Sequence, residues 1–200
     1  MYDYHIILAT LGTVIGLLSF VPYFRDILSG STKPHVFSWF VWSLLVGITF
    51  FIQLAEGGGI GAWVTGIESL CCFAVTIFAY TRGEKNITRS DWVCLCMALV
   101  AILLWRLAHQ PLLAILLVIC ADLFAYIPTF RKSYIRPDEE TALQFAMSSL
   151  RWFIGTVALQ SLTPTALLYP LWSGALDAVL VATILIRRRQ LARIGEVRTD

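Results

Sequence analysis

Seven long apolar runs, separated by short polar loops, make up almost the whole chain. They cover about 6–24, 36–55, 60–80, 92–107, 111–130, 142–160 and 166–186. At about 1.5 Å of rise per residue, a run of this length as a helix crosses a hydrocarbon layer of about 30 Å. The pattern predicts an all-α polytopic membrane protein with seven transmembrane helices. The fourth run is the shortest and reaches across only if Arg106 snorkels to the surface. The loops carry breakers where breakers are needed. Lys33-Pro34 precedes the second run, Gly57-Gly58-Gly59 follows it, and Pro111 stands where a first-turn proline is favoured.

One pattern occurs twice. Phe20-Val-Pro-Tyr-Phe-Arg25 ends the first run, and Tyr126-Ile-Pro-Thr-Phe-Arg131 ends the fifth. A short polar loop follows each copy and leads into another apolar run. At the same register Ser43-Leu44 falls on Ser149-Leu150. With the offset three residues longer, Trp63 and Glu68 fall on Trp172 and Asp177. Two copies of a three-helix unit joined by a linker helix account for this. The predicted organisation is a first bundle over 1–81, a loop and linker helix over 82–110, a second bundle over 111–187 and a basic cytoplasmic tail over 188–200. A single linker helix gives both copies the same direction through the membrane.

Composition agrees with a membrane class. The chain is 58% hydrophobic and 14% charged, with a mean hydropathy of +0.75, too little charge to cover a soluble surface. The start, Met1-Tyr-Asp-Tyr-His, lacks the basic segment and cleavage site of a secretory signal. The cations orient the chain. With the N-terminus outside, thirteen lysines and arginines lie on the inner side and only Arg106 on the outer, while Arg151 lies within a span. This predicts an outside N-terminus and a cytoplasmic C-terminus. The expected location is a bacterial inner membrane. Asn86-Ile-Thr88 matches a glycosylation acceptor, but in a loop placed in the cytoplasm it reads as a chance match.

The three-plus-one-plus-three arrangement, with Pro22 and Pro128 near the cytoplasmic ends of the first helix of each triplet, resembles the SWEET and PQ-loop (MtN3-like) transporter superfamily. The run Lys33-Pro34-His35-Val-Phe-Ser-Trp-Phe-Val-Trp42 is similar to small bacterial membrane proteins of that build. The glutamine that follows the proline in that pattern is absent, with Tyr23 and Thr129 in its place. The resemblance implies alternating access between two rocking bundles, with a solute site between them. It does not identify the solute.

Four ionisable residues fall inside predicted spans at similar depth: Glu68, Asp122, Arg151 and Asp177. Buried charges in a bilayer cost several kcal/mol unless paired or wetted, so they mark candidate solute-binding or proton-handling residues. One cation does not neutralise three acids. The expected arrangement is a network of Asp122, Arg151 and Asp177 between the bundles, with Glu68 facing the same cavity. The competing reading is a packing bridge from Arg151 to Asp122 or Asp177, with Glu68 snorkelling outward.

Trp39, Trp42, Tyr126 and Trp152 are candidate cavity walls, since aromatic faces suit cations and sugar rings. Ser43 and Ser149 either bind solute or bond back to their own helices. Pro22 and Pro128 are candidate paired gate points, because an internal proline removes one helical hydrogen bond. Trp63 and Trp172 are expected in the interfacial aromatic belt. Gly12 and Gly16 form a small-residue face for close helix packing.

Other chemistries find no residues. Cys71, Cys72, Cys94, Cys96 and Cys120 contain no C-x-x-C and lie in apolar runs, and His5, His35 and His109 stand at span ends on different sides. No cofactor, metal site, catalytic set or nucleic-acid partner is expected. The arginines from Arg187 to Arg193 read as an orientation signal and anionic-lipid contact. The expected partners are the bilayer, a small polar solute and, for a homo-oligomer, further copies of the chain. The alternative is a receptor or assembly factor of the same fold that holds a peptide or protein without transporting.

Overall fold

The structure, a computed structural model, describes residues 4–55, 59–107, 110–158 and 164–197. His109, Arg198, Gly57 and Gly58 lie outside the described residues, as do the side chains of His5, Trp63 and Arg106.

The described chain is all-α. Its helices are α1 (Tyr4–Ser29), α2 (Val36–Ala55), α3 (Gly59–Arg82), α4 (Arg89–Leu107), α5 (Pro111–Ile135), α6 (Ala142–Val157) and α7 (Pro164–Val197), with a short 3-10 turn at Pro137–Glu139. The boundaries follow local chemistry. Gly30, at φ +80°, ends α1 and returns its N–H to the Ile27 carbonyl. Thr88 and Asp91 bond to each other's backbone N–H and start α4, so the hydroxyl of the glycosylation-like pattern is used as a helix cap. Pro137 follows the end of α5, where the Arg136 N–H closes on the Lys132 carbonyl. The basic segment expected as a tail instead continues α7 as helix to Val197.

The interior mixes apolar clusters with polar and charged side chains, while the outside carries many large apolar ones. On α1, Ile7, Leu11, Val14, Leu18, Val21 and Leu28 recur at helical spacing, and all are exposed. The opposite stripe, Gly12, Gly16, Ser19, Tyr23 and Ile27, faces the interior. Elsewhere the interior holds Asp122, Asp177, Lys132 and Glu140, while Phe51, Leu70, Phe73, Leu103 and Val179 lie outside. Exposed apolar stripes of this length are uncommon on a water-facing surface. Within the described residues, Ile6–Ser29 and Leu167–Ile194 are long and apolar enough to cross a membrane, and Val36–Ile48 is a shorter apolar stretch.

Helix neighbours carry the sequence repeat into three dimensions. Helix α1 packs on α6 and α3, α2 on α3 and α5, and α7 on α6 and α5. Exchanging α1 with α5, α2 with α6 and α3 with α7 maps these pairings onto themselves. Helix α4 lies outside the exchange, packed on α5 and α2. Gly12 and Gly16 are the reason α1 and α6 approach closely: a Cβ on Gly12 would stand 3.4 Å from the Arg151 carbonyl oxygen.

Candidate functional site

A cavity of about 60 Å³ lies where α1, α2, α3, α5, α6 and α7 meet, and Glu68, Asp122, Arg151 and Asp177 all border it. Their pairing differs from the expected network. Arg151 forms a forked ion pair with Glu68, its Nη1 donating to Oε2 at 3.1 Å and its Nη2 to Oε1. Its guanidinium lies 4.3 Å from the Trp152 ring centre. The stem crosses Gly16, where a Cβ would stand 2.5 Å from Arg151 Cδ. A side chain at position 16 would block that path, so a glycine on α1 lets a cation on α6 reach an acid on α3.

Asp122 and Asp177 have neutral partners. The Trp42 indole N–H donates to Asp122 Oδ1 at 3.1 Å, and the Trp172 indole N–H donates to Oδ2 at 3.2 Å. Trp172 therefore does not sit in an interfacial belt but reaches inward from α7 to α5. Its five-residue spacing from Asp177 puts the two on different faces of α7, and its partner is on another helix. The Tyr126 hydroxyl donates to Asp177 Oδ1 at 2.6 Å. Asp177 Oδ2 makes no hydrogen bond, although the Ser148 hydroxyl is its near neighbour.

The aromatic candidates gather as one cluster. Trp39, Trp42, Tyr126 and Trp152 all border the cavity. Trp42 packs edge-on against Trp39 and Tyr126, with ring centres 5.2 and 4.8 Å apart. The two matched serines do not border the cavity, and each hydroxyl is bonded to a backbone carbonyl. Ser43 Oγ donates to the Phe40 carbonyl of its own helix, and Ser149 Oγ donates to the Gly174 carbonyl of α7.

Below the cavity, towards the basic loops, the chain is sealed in two layers. The first is aromatic: Tyr23 is fully buried and packs tilted against Trp39, with ring centres 4.8 Å apart. The second is ionic. The Trp39 N–H donates to the Tyr23 hydroxyl at 3.0 Å, and that hydroxyl donates to Glu140 Oε1 at 2.8 Å. Lys132 pairs with Glu140 and also donates to the Lys33 and Glu139 carbonyls. Lys33 pairs with Glu139, and its backbone N–H meets the Glu139 carbonyl at 2.9 Å. The loop after α1 is thereby tied to the loop after α5, the matching loop of the other repeat.

Pro22 and Pro128 lie inside α1 and α5, which continue to Ser29 and Ile135, so neither proline ends its helix. Neither borders the cavity; Pro22 precedes Tyr23 of the seal, and Pro128 precedes Thr129, which ties α5 to α2. Tyr23 belongs to the seal just described. Thr129 donates to Ser38 Oγ at 2.8 Å, and Ser38 donates to the Ala125 carbonyl.

Beside this seal, Glu84 pairs with Arg136, and Asp91 with Arg131. Burial pushes both carboxyls up, but for Glu84 the Arg136 and Asn86 donors outweigh it, and for Asp91 the Thr88 donors and the His35 and Arg131 charges do. Both are held below the usual carboxylate range. Burial lowers His35 to about 4, against the pull of Asp91.

Sequence reasoning missed Tyr23, Glu139, Glu140 and Lys132 in the seal, and Gln144 and Ser173 at the cavity. The available signal was position: Tyr23 occupies the variable site of the repeated Pro-X-Phe-Arg pattern. Among the described residues no His, Cys, Asp or Glu cluster could hold a metal ion. Comparison with protein families, with curated proteins and with solved structures finds no match.

Proposed function

We propose that the chain is a seven-span membrane protein of SWEET-like, PQ-loop-like build, with its N-terminus outside and its C-terminus cytoplasmic. In this reading two triple-helix bundles pass a small polar solute by alternating access. The exposed aliphatic stripes face lipid, and the polar interior is the solute route. The observation that carries the reading is the combination of a charged cavity between the repeats with a seal made from the equivalent loop of each. One sealed end and one interior site are what an alternating-access cycle needs in one of its two states. Asp122 and Asp177, lacking a cationic partner among the described residues, are the groups able to carry a proton with the solute. Pro22 and Pro128, one in each of the matched helices, are the points where α1 and α5 bend as the seal opens.

The test is a reversible lock. The backbone contact between Lys33 and Glu139 brings these positions within reach of a disulfide. Lys33→Cys with Glu139→Cys is reconstituted in vesicles, and osmotic light scattering follows the entry of polyols, amides, amino acids and amines. At least one solute should enter faster than into protein-free vesicles. Oxidation should stop that flux and reduction restore it. No flux of any solute, or flux indifferent to the cross-link, overturns the reading.

A further inference from the structure

Taking the cavity as the solute site just proposed, we infer that the solute it selects carries a primary ammonium group. The first ground is charge. Arg151 is neutralised by Glu68, and among the described residues no ion pair reaches Asp122 or Asp177. The site therefore has two carboxylates in excess of its one cation.

The second ground is hydrogen bonding. Three buried side-chain atoms on cavity-lining residues have no partner in hydrogen-bond geometry, Asp177 Oδ2, Gln144 Oε1 and Ser173 Oγ, although the Ser148 hydroxyl lies beside Asp177 and the Tyr169 hydroxyl beside Ser173. Their residues are only 2%, 5% and 3% exposed, so what serves them is whatever occupies the cavity they line. The carboxylate and amide oxygens only accept, and the hydroxyl also accepts. Unpartnered buried acceptors cost about 1–3 kcal/mol each. A ligand that cancels this cost must bring several donors. An ammonium brings three donors and a positive charge to three acceptors in an acidic cavity.

Size and surroundings narrow the class. At roughly 10–15 Å³ per water, the cavity has room for about four to six waters. A sugar ring is too large, whereas a short alkylammonium fits. The Trp42 and Tyr126 rings beside the acids favour an organic cation. A bare metal ion is disfavoured, because hard cations take six or more oxygen ligands and no cluster of carboxylate, histidine or cysteine ligands is assembled here.

The experiment measures thermal stability of the full chain in detergent against methylammonium chloride, with sodium chloride at equal ionic strength and tetramethylammonium chloride as comparisons. Methylammonium should stabilise saturably, with apparent affinity at least tenfold above tetramethylammonium, which has no N–H donor. Asp177→Asn should weaken it at least tenfold, and the smaller change Ser173→Ala two- to fivefold. Equal responses to the three cations, or methylammonium affinity unchanged in both variants, overturns the inference. Methylammonium binding without vesicle flux leaves this site standing and removes the transport reading. Cross-link-sensitive flux of a neutral solute, with no ammonium preference, removes this inference and leaves transport standing.

Discussion

Among the described residues Arg151 is the sole cation bordering the cavity, and its removal should be the most damaging single change there. In Arg151→Met the aliphatic stem over Gly16 is largely kept, so the loss is electrostatic rather than a packing void. Glu68, Asp122 and Asp177 then share one small cavity with no cation. Breaking a buried pair by removing one partner costs about 3–5 kcal/mol. The two side chains retain 17% and 15% exposure, which points to the lower end of that range. Glu68→Gln is milder, at about 1–2 kcal/mol, because Arg151 keeps the Trp152 face and the field of the other acids. The double variant should be more stable than Arg151→Met alone, with a coupling of about 1–3 kcal/mol between the two sites. The assay is equilibrium unfolding in mixed micelles, read by circular dichroism for all four proteins. If the two single changes cost the same and the double variant is their sum, Arg151 does not balance the cavity's acids and the electrostatic reasoning fails.

Two further outcomes test the sealed end and the loop beside it. The His35 imidazole is buried without a hydrogen bond, 3.5 Å from Asp91 and near Arg131 and Lys132, and it titrates at about 4, against about 6.5 unfolded. Between those values the unfolded chain binds the proton and the folded chain does not. Stability should therefore fall by up to about 3 kcal/mol as pH drops from 6.5 to 4, and His35→Phe should flatten that part of the profile; an unchanged slope in the variant refutes the assignment. Gly83→Ala would drive its Cβ into the backbone carbonyls of Ala79 and Pro34 and should cost about 1–3 kcal/mol, whereas Gly155→Ala, with nothing within 4 Å, should be neutral in the same unfolding assay.

Helix existence was legible in the sequence because apolar run length and turn residues determine it locally. That the four ionisable groups gather at one interior cavity was legible too, since nothing else in an apolar run explains them. Their partners were not. At the register that places Phe20 on Tyr126, Gly16 falls on Asp122 and Leu45 on Arg151. The repeat thus replaced an acid by a space on α1 and a leucine by a cation on α6. Which acid that cation meets depends on the rotation of α3 about its axis, which hydropathy does not encode. Glu139 and Glu140 read as ordinary solvated loop acids. The burial of Glu140 and the pairing of Glu139 with Lys33 arise only because two loops far apart in sequence close on each other. Trp172 was misplaced for a similar reason, since its spacing from Asp177 was legible but its reach to another helix was not.

The indoles of Trp42 and Trp172 hold one carboxylate between them at the edge of the cavity. An indole N–H bonded to a charged acceptor has an emission energy that depends on that acceptor's charge and orientation. Anything that enters the cavity and draws Asp122 away, whether a proton or a solute, changes the local field of both rings together. If the cavity takes a solute as proposed, the two indoles would report its occupancy optically. Difference emission between the native chain and Trp172→Phe isolates that signal from the other tryptophans, so occupancy is readable without attaching a dye.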